Sequence, residues 1–136
     1  FYRRLRQMAE QQRVQSVVFA GFVDDRGLSA LYRFATCYLF PSLYEGFGLP
    51  PLEAMARGLP VLSSDQGSLP EILGDAARYF NPHRSGSLEK ELAEILASET
   101  VRKELLRRGY VQAARYSWET MARETLALYR QVDREK

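Results

Sequence analysis

Short apolar runs alternate with longer amphipathic stretches along this chain, and that alternation predicts strands interleaved with helices. Tyr2-Arg3-Arg4-Leu5-Arg6-Gln7-Met8-Ala9-Glu10-Gln11-Gln12 reads as a helix already under way, because no capping residue precedes it. Phe1 is not an initiator, so a longer parent protein is expected. A strand is predicted at about Val17 to Ala20. The turn Asp24-Asp25-Arg26-Gly27 then leads into a helix through Leu28, Leu31, Tyr32 and Ala35, spaced three and four apart. A second strand at about Tyr38 to Phe40 enters a glycine-rich loop. A helix follows from Pro50 to about Arg57, stopped at Gly58 in the manner of a C-cap. Pro60-Val61-Leu62-Ser63 makes a third strand, and a short helical turn around Pro70 to Leu73 precedes a fourth at Arg78 to Phe80. The rest is helical: Leu88 to Ala97, Val101 to about Arg115, and Trp118 to about Val132. In the last of these Trp118, Met121, Ala122, Thr125, Leu128, Tyr129 and Val132 form an apolar stripe of helical period. Strands alternating with helices imply an α/β fold, a doubly wound parallel sheet of at least four strands with C-terminal helices. Ligands in such sheets bind beyond the carboxyl ends of the strands, where Phe22, Val23 and the glycine-rich loop fall.

That loop carries the chemistry. In Glu45-Gly46-Phe47-Gly48-Leu49-Pro50-Pro51-Leu52-Glu53 two carboxylates stand eight positions apart. Between them lie two glycines that let the backbone approach a ligand, and two prolines that open a helix. Proline at a first helical position is pre-set in φ and lacks an N–H that would be orphaned anyway. The free N–H groups expected, those of Gly48, Leu49 and Leu52, lie at the positive end of the helix dipole and suit a phosphate or diphosphate. Glu53 falls one turn on, roughly 6 Å from Leu49 at the usual helical rise. Glu45 stays on the loop. One carboxylate then reaches hydroxyls on one side of a bound diphosphate and the other reaches hydroxyls on the opposite side, which is the layout of a nucleotide-sugar.

The stretch from Phe40 to Leu62, with Pro41-Ser42, Glu45-Gly46-Phe47-Gly48-Leu49-Pro50, Leu52-Glu53-Ala54-Met55-Ala56 and Gly58-Leu59-Pro60-Val61, resembles the family-4 glycosyltransferases, retaining enzymes of GT-B fold. Val18-Phe19-Ala20-Gly21-Phe22-Val23 looks like that family's strand and base-contacting turn. Gly67-Ser68-Leu69-Pro70-Glu71-Ile72 looks like its following loop, and Tyr116-Ser117-Trp118 like the start of its last helix. The resemblance spans nearly the whole chain and implies a partial C-terminal, donor-binding domain over residues 1–136. By resemblance, Glu45 is the catalytic carboxylate beside the donor sugar, where any help to oxocarbenium charge is electrostatic. Gly46, Phe47, Gly48, Leu49 and Leu52 contact the donor, Glu53 takes the ribose, and main-chain atoms of Phe22 and Val23 meet the base. The family sheet has six parallel strands, of which this chain supplies the last four. The family's upstream arginine and lysine that grip the diphosphate have no counterpart here. The fragment alone is therefore expected to be inactive and the full-length parent an enzyme.

Composition alters little. The chain has 136 residues, 46% hydrophobic and 26% charged, with a net charge of +2, which gives no sign of nucleic-acid affinity. The single cysteine, Cys37, sits in an apolar run and reads as a buried structural thiol, and one cysteine fits a reducing compartment. His83 is the only histidine and reads as a solvated bystander, so neither a histidine-based triad nor a metal site is predicted, and no cofactor. Glu71 reads as a structural hydrogen-bonder, and Arg102, Lys103, Arg107, Arg108 and Arg115 as a solvated helical face, with a membrane-facing patch as the alternative. The expected partners are a nucleoside-diphosphate sugar and a glycan or lipid-linked acceptor held by a missing N-terminal domain. The expected compartment is the cytoplasm, at the inner face of the membrane if the parent associates with it peripherally. In the family the last helix crosses onto that other domain; here its stripe is expected either to fold back or to dock on a second copy as a dimer. Three functions compete: the donor half of a hexosyltransferase of polysaccharide synthesis, with mannose the sugar the resemblance favours; a GT-B epimerase or phosphorylase; and a non-catalytic nucleotide-sugar-binding or interaction module.

Overall fold

The computed structural model describes residues 2–134, which divide into two compact units, one running to Ala30 and the other from Leu31 onward. In the first unit α1 spans Tyr2–Gln11 and the chain leaves it through Arg13, whose φ is +53°. The Tyr2 and Phe19 rings meet edge to face with centroids 5.6 Å apart. Helix α2, Asp25–Phe34, begins here and ends in the second unit. Asp24 caps it: its Oδ1 accepts the Gly27 N–H at 2.8 Å and its carbonyl accepts the Leu28 N–H at 2.8 Å.

The strand expected at Val17 to Ala20 is absent, and with it the fourth strand of the sheet. Extended backbone in a parallel sheet is held by a neighbour's N–H and C=O groups. This run has no such neighbour among the described residues, and its valines face water, Val17 being 49% and Val18 87% exposed. An apolar, β-branched sequence is not enough to make a strand without a ladder.

The second unit holds a parallel three-stranded sheet in the order β1-β2-β3: β1 is Tyr38–Phe40, β2 Val61–Ser64 and β3 Ala77–Phe80. Tyr38 pairs with Val61, and Leu62 with Arg78. All four residues of β2 are buried, as befits a central strand covered on both faces. Between the strands run α3, Leu49–Ala56, and α4, Leu69–Leu73, the latter continued by a 3₁₀ turn at Gly74–Ala76. After β3 come α5, Ser87–Ala97, α6, Glu99–Ala113, and α7, Trp118–Arg134.

The core forms where α5 and α6 cover the sheet. Leu62, Phe80, Ile95 and Leu105 are buried together, with Cys37, Leu88, Leu92 and Val101 packed at their margin. Burial pushes the Cys37 thiol pKa up, in keeping with a structural role. Helix α6 also packs on α3. Gly109 allows this approach, since a Cβ there would lie 3.3 Å from Met55 Cβ and Cγ. Ser98 joins α5 to α6 by accepting the Val101 N–H at 3.2 Å. Arg102 turns back to donate to the carbonyls of Ile95 and Leu96 at 2.7 and 2.8 Å, closing the C-terminal end of α5.

The basic residues of α6, and Arg115 just beyond it, form the expected largely solvated face and are paired on it. Lys103 pairs with Glu99 at 2.7 Å, Arg115 donates to Gln112 at 3.2 Å, and Arg108 lies 3.4 Å from the Asp75 carboxylate. Glu104 accepts from Arg107 at 2.9 and 3.0 Å and from Arg108 at 2.7 Å. Helix α7 has no buried residue, so its stripe does not fold back into the core, and Trp118 is 70% exposed.

Glu104 makes the pH dependence of this unit testable. Hydrogen bonds from Arg107 and then Arg108 hold its carboxyl at about 2, below the ordinary 4.5. A depressed folded-state value stabilises above the unfolded value and ceases to do so as pH falls through the folded one. Wild type is expected to melt above Glu104→Gln at pH 7, with the gap narrowing steadily between pH 4.5 and 2 in calorimetric scans. A gap that stays constant to pH 2 contradicts this coupling.

Candidate functional site

The site is built at the carboxyl ends of β1 and β2, on the loop of residues 41–48 that leads from β1 into α3. Gly48 is the N-cap of α3, at φ +100° and ψ +51°, and is buried. The left-handed backbone favours glycine there, and a Cβ would sit 2.8 Å from Leu69 Cδ2, so that side chain would have to shift as well. The helix opens one residue earlier than the prolines suggest: Leu49 is its first residue, followed by Pro50 and Pro51.

This start revises the set of free amides. Helix geometry gives the Leu52 N–H to the Gly48 carbonyl, and the two prolines have none. Gly48 and Leu49 are left as the amides at the positive end of α3, while Leu52 is buried at 6% exposure and serves as packing.

Glu45 is half-buried on the loop and Glu53 is exposed on α3. Tyr38, at the start of β1, senses both: its hydroxyl pKa is pushed up to about 12, first by burial, then by the charge of Tyr32 and a hydrogen bond with it, then by the Glu53 and Glu45 carboxylates. The Tyr32 and Tyr38 rings lie 5.7 Å apart, and the Arg57 guanidinium stands 5.1 Å from the Tyr32 ring centre.

Beside the loop a cleft of about 590 Å³ is lined by Phe47, Leu49, Leu52 and Glu53 on one side and by Arg115, Tyr116, Trp118, Met121 and Glu124 on the other. Phe47 meets Tyr116 edge to face at 5.4 Å, so it packs and walls the cleft at once. Tyr116 is in turn tied to α4, its hydroxyl donating to the Ile72 carbonyl at 3.1 Å. The same carbonyl takes the buried Gln112 amide at 2.6 Å. The structure thus gathers four of the predicted residues, Phe47, Leu49, Leu52 and Glu53, around one cleft. Glu45 and Gly46 lie on the loop without lining it. Phe22, 94% exposed, and Val23, half-buried, belong to the other unit. Glu71 is exposed in the first turn of α4 and His83 is exposed.

Sequence reasoning places Tyr116 and Trp118 at the start of a helix and gives them no part in the site. Their signal is only tertiary, because they sit more than sixty positions from Phe47. Ser68 is equally unmarked: its hydroxyl donates to the Glu45 carbonyl at 2.9 Å and lies 3.4 Å from that of Phe47.

Fold and site together define a parallel α/β domain with a helix N-terminus and two carboxylates beyond the strand ends. Residues 2–112 match the family of glycosyl transferases group 1, and the chain belongs to that family. It is 42% identical over 106 residues to the serotype-specific mannosyltransferase WbdA of Escherichia coli, an alignment covering 78% of this chain and 13% of that protein. It is 38% identical over 112 residues to the O-antigen chain mannosyltransferase B of Escherichia coli, covering 82% of this chain and 29% of the relative. Among solved structures it resembles sucrose-phosphate synthase from Thermosynechococcus elongatus, with a TM-score of 0.87, 29% identity, and coverage of 98% of this chain and 35% of that one. The chain thus spans less than a third of the length of these two curated relatives. No helix among the described residues is long and apolar enough to cross a membrane.

The two glycines of the loop are separable. Gly48→Ala is expected to lower unfolding free energy by about 1–3 kcal/mol, through its left-handed conformation and the Leu69 contact. Nothing lies within 4 Å of a Cβ at Gly46, and Gly46→Ala should stay within about 0.5 kcal/mol of wild type. Urea denaturation of both variants decides; equal losses contradict the assignment.

Proposed function

We propose that this chain is the donor-binding half of a retaining glycosyltransferase, which transfers a hexose, mannose by the similarity of its relatives, from a nucleoside-diphosphate sugar to a glycan or lipid-linked acceptor. One observation carries the reading: Glu45 and Glu53 flank the free amides of Gly48 and Leu49 at the positive end of α3. In this reading those amides receive the diphosphate. Glu45 holds hydroxyls of the sugar near the reacting carbon and stabilises positive charge developing there. Glu53, one helical turn on, takes the ribose. The similarity to two mannosyltransferases supports the sugar.

Acceptor binding belongs to another domain of the parent enzyme, whose setting is the cytoplasm or the inner membrane face. The uncovered stripe of α7, with Trp118, Met121, Leu128, Tyr129 and Val132 exposed, supports docking of this helix on that domain or on a second copy.

The carboxylates test the proposal in the intact enzyme. Glu45→Gln is expected to lower turnover at least a hundredfold while leaving the affinity for nucleoside diphosphate within about twofold, since the lost contact is to the sugar. Glu53→Gln should weaken both the nucleotide and the nucleotide-sugar by about 1–2 kcal/mol, the worth of a charged hydrogen bond. Calorimetry and steady-state kinetics measure both. An unchanged nucleotide affinity in the Glu53 variant overturns the ribose role.

A further inference from the structure

The loop that carries Glu45 is held in an unusual way. Among the described residues, no backbone–backbone hydrogen bond outside helices and strand ladders begins or ends in residues 42–47. Side-chain hydroxyls bind it instead. Ser64, at the end of the buried β2, donates to the Ser42 carbonyl, and Ser42 reaches the Tyr44 carbonyl at 3.3 Å. Ser68 supplies the link nearest the carboxylate, at 2.9 Å to the Glu45 carbonyl and 3.4 Å to that of Phe47.

A serine ahead of a short helix ordinarily serves that helix by accepting an N–H from its first turn. Ser68 does not. It stands at the N-cap of α4 with φ −76° and ψ −9°, in the helical rather than the extended region, and makes no side-chain cap bond. The α4 backbone is secured without it, the Ile72 N–H reaching the Ser68 carbonyl at 3.0 Å. The hydroxyl is thereby left to donate across to the opposing loop. The segment around it is shaped for that loop too: Gly67, at φ +60°, runs alongside the backbone of Glu45, and Leu69 packs where a side chain on Gly48 would have to go.

We propose that Ser68 is a positioning residue for Glu45, its hydroxyl fixing the loop backbone so that the carboxylate is held on the donor sugar. This rests on the function proposed above for Glu45. An unclamped loop still leaves the amides of Gly48 and Leu49 in place, because these are set by α3 and by Leu69. Loss of the clamp therefore strikes the chemical step and spares nucleotide binding. A misplacement of about 1 Å in a reacting group can cost on the order of a hundredfold in rate.

Two measurements on Ser68→Ala and Ser68→Thr test this. In the 136-residue chain, amide order parameters at Glu45, Gly46 and Phe47 by ¹⁵N relaxation are expected near about 0.85 in wild type and Ser68→Thr, and below about 0.6 in Ser68→Ala. In the intact enzyme Ser68→Ala should lower kcat roughly ten- to a hundredfold, leave the Kd for nucleoside diphosphate unchanged, and be rescued by threonine. A loop that stays ordered in Ser68→Ala overturns the clamp. A loosened loop with unaltered kcat overturns its bearing on Glu45. A wild-type enzyme that transfers no hexose overturns the proposed function instead, and the order parameters still decide the clamp.

Discussion

Burial of β2 is the constraint on which the rest of the second unit depends. Val61, Leu62, Ser63 and Ser64 are fully enclosed, so every N–H and carbonyl of that strand must be satisfied within the protein. Pairing with β1 on one side and β3 on the other supplies those partners, and the parallel register then brings the carboxyl ends of β1 and β2 side by side. Two loops must leave the sheet at neighbouring points, one carrying Glu45 and the other Ser68. Two buried hydroxyls at the end of β2 sharpen the arrangement, because each needs an acceptor in a region without water. Ser63 uses the Ser64 carbonyl at 3.1 Å, and Ser64 uses that of Ser42. The site is adjacent to the core because the core's own polar atoms reach into it.

The start of α3 combines conformational and electrostatic demands in a few residues. A left-handed glycine lets the chain turn sharply into the helix, and two prolines hold its first turn while leaving no N–H of their own there. What remains is a short patch of positive potential with a carboxylate before it and another after it. The same geometry that packs Leu52 inward turns Glu53 outward, since neighbouring positions on a helix differ by about 100°. An exposed carboxylate and a core leucine are therefore one structural feature.

The periphery behaves differently. Helix α6 is bound to its neighbours by Gly109 against Met55, by Gln112 on the Ile72 carbonyl and by Arg108 toward Asp75. Helix α7, which follows directly, buries nothing, and the stretch from Val14 to Val18 leaves its apolar side chains in water. Both expose apolar side chains, a stripe on the amphipathic α7 and a short run before α2, and apolar area gains nothing until something covers it.

The sequence by itself determined the class of fold, the order of helices and strands from Asp25 onward, and the family, because these follow from local periodicity and from an uninterrupted run of residues around Glu45 and Glu53. Helix boundaries moved by one to three residues, α2 starting inside the expected Asp24-to-Gly27 turn; Leu49 rather than Pro50 opens α3, and that shift alone gives the Leu52 amide to the helix. Val17 to Ala20 shows the limit on strands: β-propensity is a property of the segment, whereas strand formation needs a neighbour's hydrogen bonds. Only the tertiary structure decided that Tyr116 and Trp118 face Phe47 across a cleft, that Arg108 reaches Asp75, and that the Ser68 hydroxyl donates to the Glu45 carbonyl rather than capping its own helix. Each of these joins residues distant in sequence, and no pattern within either segment records which way the other one turns.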